Sequence, residues 1–403
     1  MNVQQIINDF KVESITGRYI TLESIEPILK EWNTDNQLKI EGYSVLKRPI
    51  YSYTIGTGST KILLWSQMHG NESTTTKALF DLLLFLNSDG QVANDFLNHF
   101  TFLCFPMLNP DGAWAYTREN ANGVDLNRDA QDLSQPESQI LRQAFNAFQP
   151  NFCFNLHDQR TIYGAGTSGN PATVSFLAPS YNMEREYNET RNKAIEVIVA
   201  MNEALQKIIP NQVGRFDDAF NLNCVGDTFQ SLGVPTILFE AGHFQNDYLR
   251  EHTRNFLFLA LISGIQHIYE NVIVNNEIDD YLRIPQNKVN FYDIVYKNVK
   301  INYDGIVKST NFAIQFIEEL IENKISFCAY FSEIGNLDSF FGHFEYDAKG
   351  ALYSDDKENI PKLNRKANFY LEKNIKIGNG LPFNLYFLIF ITNSSISFFK
   401  LYQ

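Results

Sequence analysis

The pattern of apolar and polar positions predicts alternating strands and helices from about Tyr51 onward. Short apolar runs bounded by polar turn residues indicate buried strands, whereas apolar residues three and four apart over longer stretches indicate helices. The predicted strands are 61–69, 100–108, 152–157 and 235–242. The predicted helices are 21–32, 73–88, 134–149, 183–209 and 246–270. Apolar strands that alternate with helices are typical of a mostly parallel mixed sheet with helices on both faces, so we expect an α/β fold.

The pattern changes after about residue 275. The segment 275–287 is polar and acidic and contains a proline. Beyond it we predict one amphipathic helix at 310–322. Strand-like runs are predicted at 327–331, 340–346, 369–375 and 385–391. We therefore expect two domains: residues 1–275, which begin with a helical extension at 1–45, and a smaller C-terminal α+β or mostly-β domain at 288–403, to which the sequence assigns no role.

The composition is that of a folded protein and argues against nucleic acid as a partner. Of 403 residues, 44% are hydrophobic, and 33 Lys and Arg against 46 Asp and Glu leave a net charge of −13. Nucleic-acid surfaces concentrate Lys and Arg on one face, but the densest basic run, 357–373, is interleaved with Glu. The N-terminus lacks the pattern of a secretory signal, and no apolar run approaches the roughly 18 residues that span a bilayer. We expect no membrane partner and a cytoplasmic location.

Histidines at the ends of predicted strands are the candidate metal ligands. His69 ends one strand, Glu72 follows it across a short turn, and His157 ends another strand. Ligands of open α/β sheets bind beyond the carboxyl ends of the strands, so these side chains are expected at one edge. A catalytic zinc site needs three such ligands and an open position. A hydrogen-bonded core histidine is the alternative, and a structural role is expected for the pair His267 and Glu270 at a helix end.

A candidate base and a candidate anion-binding loop accompany these ligands. Glu240 follows the apolar run of another predicted strand, where a carboxylate is costly to bury. Beside a metal it would suit proton transfer from water to a leaving amine. The long polar loop 106–132 carries Arg118, Asn127 and Arg128, and guanidinium groups bind carboxylates or stabilise oxyanions. The structural alternatives are helix capping or ion pairing by the Glu, and ion pairs of the arginines within their own loop.

Together these residues resemble the signature of the zinc carboxypeptidases, the M14 metallopeptidase family of the carboxypeptidase A/B type. The motifs follow the family's order: H-G-N-E at 69–72, N-P-D-G at 109–112, R-E-N-A-N-G-V-D-L-N-R at 118–128, the strand-end His157, and F-E at 239–240. The resemblance covers about residues 45–270. It implies a zinc-carboxypeptidase-like fold, one zinc ion per chain and hydrolysis of peptides.

The resemblance also implies the roles of the residues that do the chemistry. His69, Glu72 and His157 would bind the zinc ion. Glu240 would act as general base and then as general acid. Arg118 would polarise the scissile carbonyl and hold the oxyanion.

Substrate recognition is implied in the same way. Asn127 and Arg128 would bind the free C-terminal carboxylate of a peptide or peptide-like substrate, which makes the enzyme an exopeptidase. One feature departs from the family: the stretch 214–234 lacks the mobile active-site Tyr of many members. A second feature bears on substrate preference. Asp227 lies where the family shapes its specificity pocket, and it would favour a basic terminal residue.

Two alternative functions remain open from the sequence. A zinc deacylase of the aspartoacylase or succinylglutamate desuccinylase type also uses H-G-N-E and D-L-N-R motifs but hydrolyses N-acyl amino acids. The N-P-D-G segment and the spacing from Arg118 to Asn127 favour the carboxypeptidase. A non-catalytic binding module on the same fold is the second alternative, although ligands and base are all present. The G-x-G-x-x-G match at 164–169 precedes a strand-like run rather than a helix, which argues against a dinucleotide site.

Overall fold

The structure is a computed structural model that describes residues 9–271, 276–303 and 305–382. Its helices, numbered along these residues, are α1 (Leu22–Trp32), α2 (Thr74–Leu86), α3 (Gln91–His99), α4 (Pro110–Ala115), α5 (Pro136–Phe148), α6 (Glu189–Gln206), α7 (Val225–Ser231), α8 (Glu251–Glu270) and α9 (Glu277–Arg283). A short 3₁₀ helix spans Leu126–Arg128.

The strands of the structure, numbered in the same way, are β1 (Leu38–Tyr43), β2 (Pro49–Ile55), β3 (Thr60–Ser66), β4 (Phe100–Phe105), β5 (Phe152–Asp158), β6 (Tyr163–Ala165), β7 (Val174–Leu177), β8 (Val213–Arg215), β9 (Thr236–Ala241), β10 (Asn287–Val289), β11 (Phe291–Tyr303), β12 (Ile306–Ile321), β13 (Lys324–Gly335), β14 (Phe341–Asp347), β15 (Tyr353–Ser354), β16 (Phe369–Leu371), β17 (Ile375–Gly378) and β18 (Leu381–Pro382).

The described residues form two compact units. The first comprises those up to Gln159, together with Ala172–Gly242 and Leu249–Asn287. The second comprises Arg160–Pro171, His243–Tyr248 and the residues from Lys288 onward. Two short segments that the sequence analysis placed in the first domain therefore belong to the second unit.

A mixed sheet of eight strands forms the centre of the first unit. Its order is β1-β2-β4-β3-β5-β9-β7-β8. The neighbours β4, β3, β5 and β9 run parallel, whereas β2 pairs antiparallel with both β1 and β4. At the other edge β7 pairs antiparallel with β9 and parallel with β8. Side chains alternate between the two faces along β3, yet Leu63 and Leu64 are both fully buried, so both faces are covered. Leu141 and Phe145 of α5 pack on one of these faces. The predicted α/β fold class is confirmed.

Two helices of the first unit begin later than the sequence pattern suggests. We predicted α6 from residue 183, but it begins at Glu189, where the side chain of Asn188 accepts the backbone N–H of Arg191 and caps the helix. We predicted α8 from residue 246, but it begins at Glu251, after Arg250 in the left-handed conformation. Local capping and backbone conformation set these starts, and the apolar period alone does not locate them.

The second unit is mostly β. It contains two four-stranded sheets, ordered β13-β12-β11-β14 and β15-β16-β17-β18. Its core is aromatic, with Tyr296, Phe312, Phe331, Tyr353 and Phe369 packed together and almost fully buried. The predicted mostly-β character of the C-terminal region is therefore confirmed. The predicted strand at 385–391 lies outside the described residues.

The predicted amphipathic helix at 310–322 is wrong. This segment belongs to β12, which pairs antiparallel with β11 on one side and with β13 on the other. The side chains of Phe312, Ile314 and Phe316 all pack on the core. Every second residue of the segment therefore faces the core, which is the period of a strand. The apolar residues of this segment also fit a helical period, and pairing with two neighbouring strands decided between the two.

No helix among the described residues is long and apolar enough to cross a membrane.

Candidate active site

Three donor atoms converge beyond the ends of the neighbouring parallel strands β3 and β5. The Nδ1 atom of His69 lies 2.8 Å from Oε1 of Glu72. The Nδ1 atom of His157 lies 2.8 Å from Oε2 of the same carboxylate, and the two Nδ1 atoms are 3.1 Å apart. The fold therefore brings the three predicted metal ligands together, although His157 lies 85 positions after Glu72 in the sequence.

The turn that carries His69 and Glu72 rests directly on helix α4. A Cβ atom on Gly70 would lie 1.9 Å from the carbonyl carbon of Gly112, so only glycine permits this approach. Asn109 caps α4 by accepting the N–H of Gly112 at 2.9 Å, and it donates to the carbonyl of Met68 at 3.2 Å. The H-G-N-E and N-P-D-G motifs are therefore two sides of one packed junction.

The donor set fits a zinc ion. Two ring nitrogens and a carboxylate are typical zinc ligands, and a tetrahedral site with bonds of about 2.0–2.1 Å places its ligand atoms about 3.3 Å apart. The observed separations of 2.8–3.1 Å are close to this value. The Nε2 atom of His69 lies 3.0 Å from Asp125, which fixes the ring tautomer and leaves Nδ1 to face the metal position.

Burial and charge act in opposite directions on these ligands. Burial alone would raise the pKa of Glu72, but His69 and His157 hold it well below its usual value. Burial alone would lower the pKa of His69, but Glu72 and Asp125 raise it. For His157, burial outweighs the effect of Glu72 and lowers the pKa. The Glu72 carboxylate is thus kept ionised, as a metal ligand must be.

Glu240 faces the same crevice from β9. Its backbone pairs with that of His157 across the parallel strands β5 and β9. The Oε2 atom of Glu240 is shielded from solvent and has no hydrogen-bond partner. Burial, together with the negative charges of Glu72 and Asp158, raises the pKa of Glu240 well above its usual value, against the opposing effect of Arg118. A carboxylate in this setting holds a proton readily, which is the property of a general base.

Arg118 lies beside the three predicted metal ligands and is oriented by an acidic residue that sequence reasoning did not single out. One guanidinium nitrogen of Arg118 lies 3.2 Å from Glu72, and its Nε donates to Asp125 at 3.0 Å. Asp125 also contacts His69 and accepts the N–H of Asn127 at 2.8 Å. Its position in the D-L-N-R motif was the signal by which the sequence could have identified it.

Asn127 and Arg128, in the short 3₁₀ helix, lie beside the N-terminus of helix α7. The side-chain carbonyl of Asn127 accepts the N–H of Val225 at 2.9 Å. Arg128 is exposed and donates to the carbonyl of Asn127 at 2.7 Å and to Sγ of Cys224 at 3.2 Å. The amide and the guanidinium are therefore side by side, in reach of an anion in the crevice.

Asp227, the residue that the sequence analysis linked to specificity, lies in α7 as well. It is buried, and its carboxylate accepts the N–H of Asn221 at 3.3 Å. Burial raises its pKa to about 6.

Comparisons with known sequences support this assignment of the fold and motifs. Residues 26–193 match the family model Peptidase_M14, described as zinc carboxypeptidase. Carboxypeptidase 2 of Trichophyton rubrum is 25% identical over 190 residues, which cover 46% of this chain and 33% of that protein. Carboxypeptidase 2 of Trichophyton tonsurans is 29% identical over 102 residues, which cover 25% of this chain and 19% of that protein. The chain thus spans a third or less of the length of these curated relatives.

Solved structures share the fold. The metallo-carboxypeptidase from Burkholderia cenocepacia matches with a TM-score of 0.50 and 19% identity, over 62% of this chain and 69% of that chain. Carboxypeptidase A from Helicoverpa armigera matches with a TM-score of 0.51 and 16% identity, over 66% of this chain and 80% of that chain. The matching folds are those of metallo-carboxypeptidases.

Proposed function

Because this chain belongs to the zinc carboxypeptidase family M14 through residues 26–193, we propose that it is a zinc-dependent metallocarboxypeptidase that removes the C-terminal residue of peptides. One observation carries the proposal: the donor atoms of His69, Glu72 and His157 converge beside the unpartnered Oε2 atom of Glu240. Ligands and base in this arrangement suit hydrolysis of an amide bond by water.

The metal and the base have separate tasks in this proposal. His69, Glu72 and His157 hold zinc, which, when bound, supplies a Lewis acid that lowers the pKa of water and polarises a carbonyl. Glu240 takes the proton from the attacking water on its carboxylate and passes it to the nitrogen of the leaving residue. Arg118, 3.2 Å from Glu72, donates hydrogen bonds to the oxyanion as charge develops on the scissile carbonyl.

Recognition of a free C-terminus rests on Asn127 and Arg128. The carbonyl of the Asn127 side chain is held by Val225, which leaves its NH₂ group to donate to a carboxylate. The exposed guanidinium of Arg128 adds a positive charge in a planar geometry that suits a carboxylate. A pair of this kind next to the base selects the last peptide bond of the chain.

A substrate panel tests the proposal. The zinc-loaded protein is incubated with a peptide, with the same peptide amidated at its C-terminus, and with N-acyl amino acids, and the released residues are identified by mass spectrometry. We expect release of the C-terminal residue from the free peptide and none from the amidated one. Hydrolysis of N-acyl amino acids alone would assign the chain to the zinc deacylases. No hydrolysis by the zinc-loaded protein would favour the binding module.

The metal is tested separately. The wild type is expected to retain one zinc ion per chain, and His69→Ala and His157→Ala are expected to lose it, as measured by elemental analysis. A wild type that retains no zinc after dialysis against trace zinc would contradict the assignment of these ligands.

A further inference from the structure

A buried ion pair lies at the ends of the strands that carry the proposed site residues. Nη1 of Arg250 lies 3.5 Å from Oδ2 of Asp158, and each side chain is only 2% exposed. Asp158 ends β5, one position after His157, and Arg250 immediately precedes α8. The proposed mechanism uses neither charge. Burying two charges costs much of what their attraction returns, so stability alone is a weak explanation of this pair.

Arg250 joins the ends of the two neighbouring strands that carry a proposed ligand and the proposed base. Its Nη1 donates to the carbonyl of Ala241 at 2.5 Å, and its Nη2 donates to the carbonyl of Gln159 at 2.6 Å. Ala241 ends β9 and follows Glu240. Gln159 comes two positions after His157, which lies in β5. Because the planar guanidinium presents its donors in a fixed geometry, it sets the distance between the two carbonyls.

Asp158 extends this link to the turn that carries the proposed carboxylate ligand. Its Oδ2 accepts the N–H of Thr74 at 3.0 Å, and its Oδ1 accepts the N–H of Thr75 at 3.2 Å. These two N–H groups begin α2, just after the turn of Glu72, and a carboxylate is stabilised at a helix N-terminus. The backbone N–H of Asp158 also donates to Oε2 of Glu72 at 3.1 Å. One residue therefore connects the end of β5 to the start of α2.

The backbone of Arg250 is strained at the point where these contacts are made. Its φ is 56°, in the left-handed region that residues with a Cβ atom rarely adopt. Such a conformation persists only where the surrounding structure determines it, and strained residues cluster at functional sites. The surroundings of Arg250 include the carbonyls of Ala241 and Gln159 and the carboxylate of Asp158.

We infer that Arg250 and Asp158 are positioning residues, which together fix the distance between the proposed base and the proposed metal ligands. This inference rests on the proposed function. The pair acts through the backbone of the three segments that hold Glu72, His157 and Glu240, rather than on the substrate. Proton transfer from water to a base depends on their separation, and a displacement of about 1 Å in an active site can lower the rate by about 100-fold.

Steady-state kinetics of the zinc-loaded protein on the peptide panel test the inference. Arg250→Met removes the donors but keeps a side chain of similar length. It is expected to lower kcat by about 10- to 100-fold while KM changes little, because the substrate contacts are intact. Arg250→Lys can donate to a carbonyl but has no planar fork, so its kcat is expected between those of Arg250→Met and the wild type. Rates are divided by the folded fraction, measured by circular dichroism.

Arg254→Met is the matched control for this variant. Arg254 lies one turn further along α8, is buried, and pairs with Asp81. Its replacement is expected to lower stability, as that of Arg250 does, but to leave the kcat of the folded protein close to the wild-type value. An equal loss of kcat in the two variants would overturn the inference, because any buried charge defect would then have the same effect.

A double variant separates positioning from the loss of charge balance. Arg250→Met leaves a buried carboxylate without this cation, and combining it with Asp158→Asn removes that charge as well. The double variant is expected to regain stability in urea unfolding but not kcat, because the carbonyls of Ala241 and Gln159 still lack the guanidinium. Recovery of kcat in the double variant would overturn the inference and assign the effect to charge.

Amide hydrogen exchange separates this inference from the proposed function. The N–H of Gln159 donates at 2.8 Å to the carbonyl of Ala241, which Arg250 also binds. Relative to the slowest core amides, its exchange is expected to rise about 10-fold or more in Arg250→Met and to stay unchanged in Arg254→Met. Faster exchange in a protein that hydrolyses no peptide would count against the proposed function alone. Unchanged exchange in a protein that hydrolyses peptides would overturn the inference alone.

Discussion

Asp125 holds two parts of the proposed site at once. One carboxylate oxygen contacts Nε2 of His69 and the N–H of Asn127, and the other accepts Nε of Arg118. Burial alone would raise the pKa of Asp125, but His69 and Arg118 hold it well below its usual value, so the carboxylate stays ionised. A single side chain therefore couples the orientation of His69, a proposed metal ligand, to that of Arg118, the proposed oxyanion donor.

The role of Glu240 is tested by removing its charge and little else. Glu240→Gln is expected to retain zinc and fold normally, since Glu240 is not among the three proposed ligands. It is expected to lose about 10²- to 10⁴-fold in kcat, because the proposed base is gone. Rates are measured on the peptide panel together with the zinc content. Glu203→Gln, an exposed position on α6, is the matched control and should be unaffected. Wild-type turnover by Glu240→Gln would mean that another group takes the proton.

At the scale of elements, the candidate metal site depends on backbone packing between a turn and a helix. The N–H of Asn71 donates to the carbonyl of Thr117 at 3.1 Å, and the N–H of Asn109 donates to the carbonyl of Gln67 at 3.0 Å. These bonds join the turn after β3 to the segment that contains α4. Gly70 lies between them, where the two backbones approach too closely for any side chain.

Adding one methyl group at this junction is expected to damage the site. In Gly70→Ala the new Cβ would lie 1.9 Å from the carbonyl carbon of Gly112, so the turn must move. We expect a loss of about 1–3 kcal/mol in the free energy of unfolding, measured in urea, and weaker zinc binding. Gly90→Ala is the control, because its φ is −67° and the nearest atom to its Cβ is Oγ of Ser88 at 3.4 Å. Equal stability of the two variants would contradict the packing argument.

At the scale of the whole molecule, a net charge of −13 coexists with strongly paired charges inside the first unit. Lys77 of α2 donates to Glu251 of α8 at 2.5 Å, and Arg254 forms two hydrogen bonds with Asp81 at 2.6 and 2.5 Å. Arg254 also donates to the backbone carbonyl of Val12 at 2.9 Å. This buried network ties the N-terminal segment to two helices that pack on the sheet. Removing one partner would leave an uncompensated buried charge, which is strongly destabilising.

The network predicts a dependence of stability on pH. Burial acts to raise the pKa of Glu251, but Lys77 and Arg254 outweigh it and lower the pKa to about 2, whereas an unfolded chain has a Glu pKa of about 4.3. A lowered pKa in the folded state stabilises the protein above pH 4.3, and this contribution of about 3 kcal/mol is lost as the pH falls from about 4.3 to 2.

Urea unfolding of the wild type and Glu251→Gln between pH 3 and pH 7 measures this contribution. The difference between them is expected to be constant above about pH 5 and to shrink as the pH falls below 4.3. Glu189→Gln, which removes an exposed pair with Lys193, should differ little from the wild type at any pH. A difference for Glu251→Gln that does not change with pH would show that Glu251 titrates normally in the folded protein.

The sequence by itself indicated β3, β4, β5 and β9, which are four of the eight strands of the central sheet, and it proposed the residues of the candidate site. Apolar runs such as 61–69 and 152–157 are short, continuous and bounded by turn residues, and a central strand covered on both faces produces that pattern wherever it lies in the fold. The motif residues could be identified because their spacing within the 106–132 loop is local. Parallel strands place their carboxyl ends at one edge, which was enough to predict that His69 and His157 lie together.

Only the tertiary structure decided the features that depend on residues distant in sequence. Segment 310–322 has a pattern that fits helix and strand, and pairing with β11 and β13 made it a strand. The buried pair of Arg254 and Asp81 gave no signal in the sequence, because its partners lie 173 positions apart and meet only when α8 packs beside α2. Hydrogen-bond satisfaction depends on which groups meet in space, and local patterns do not contain that information.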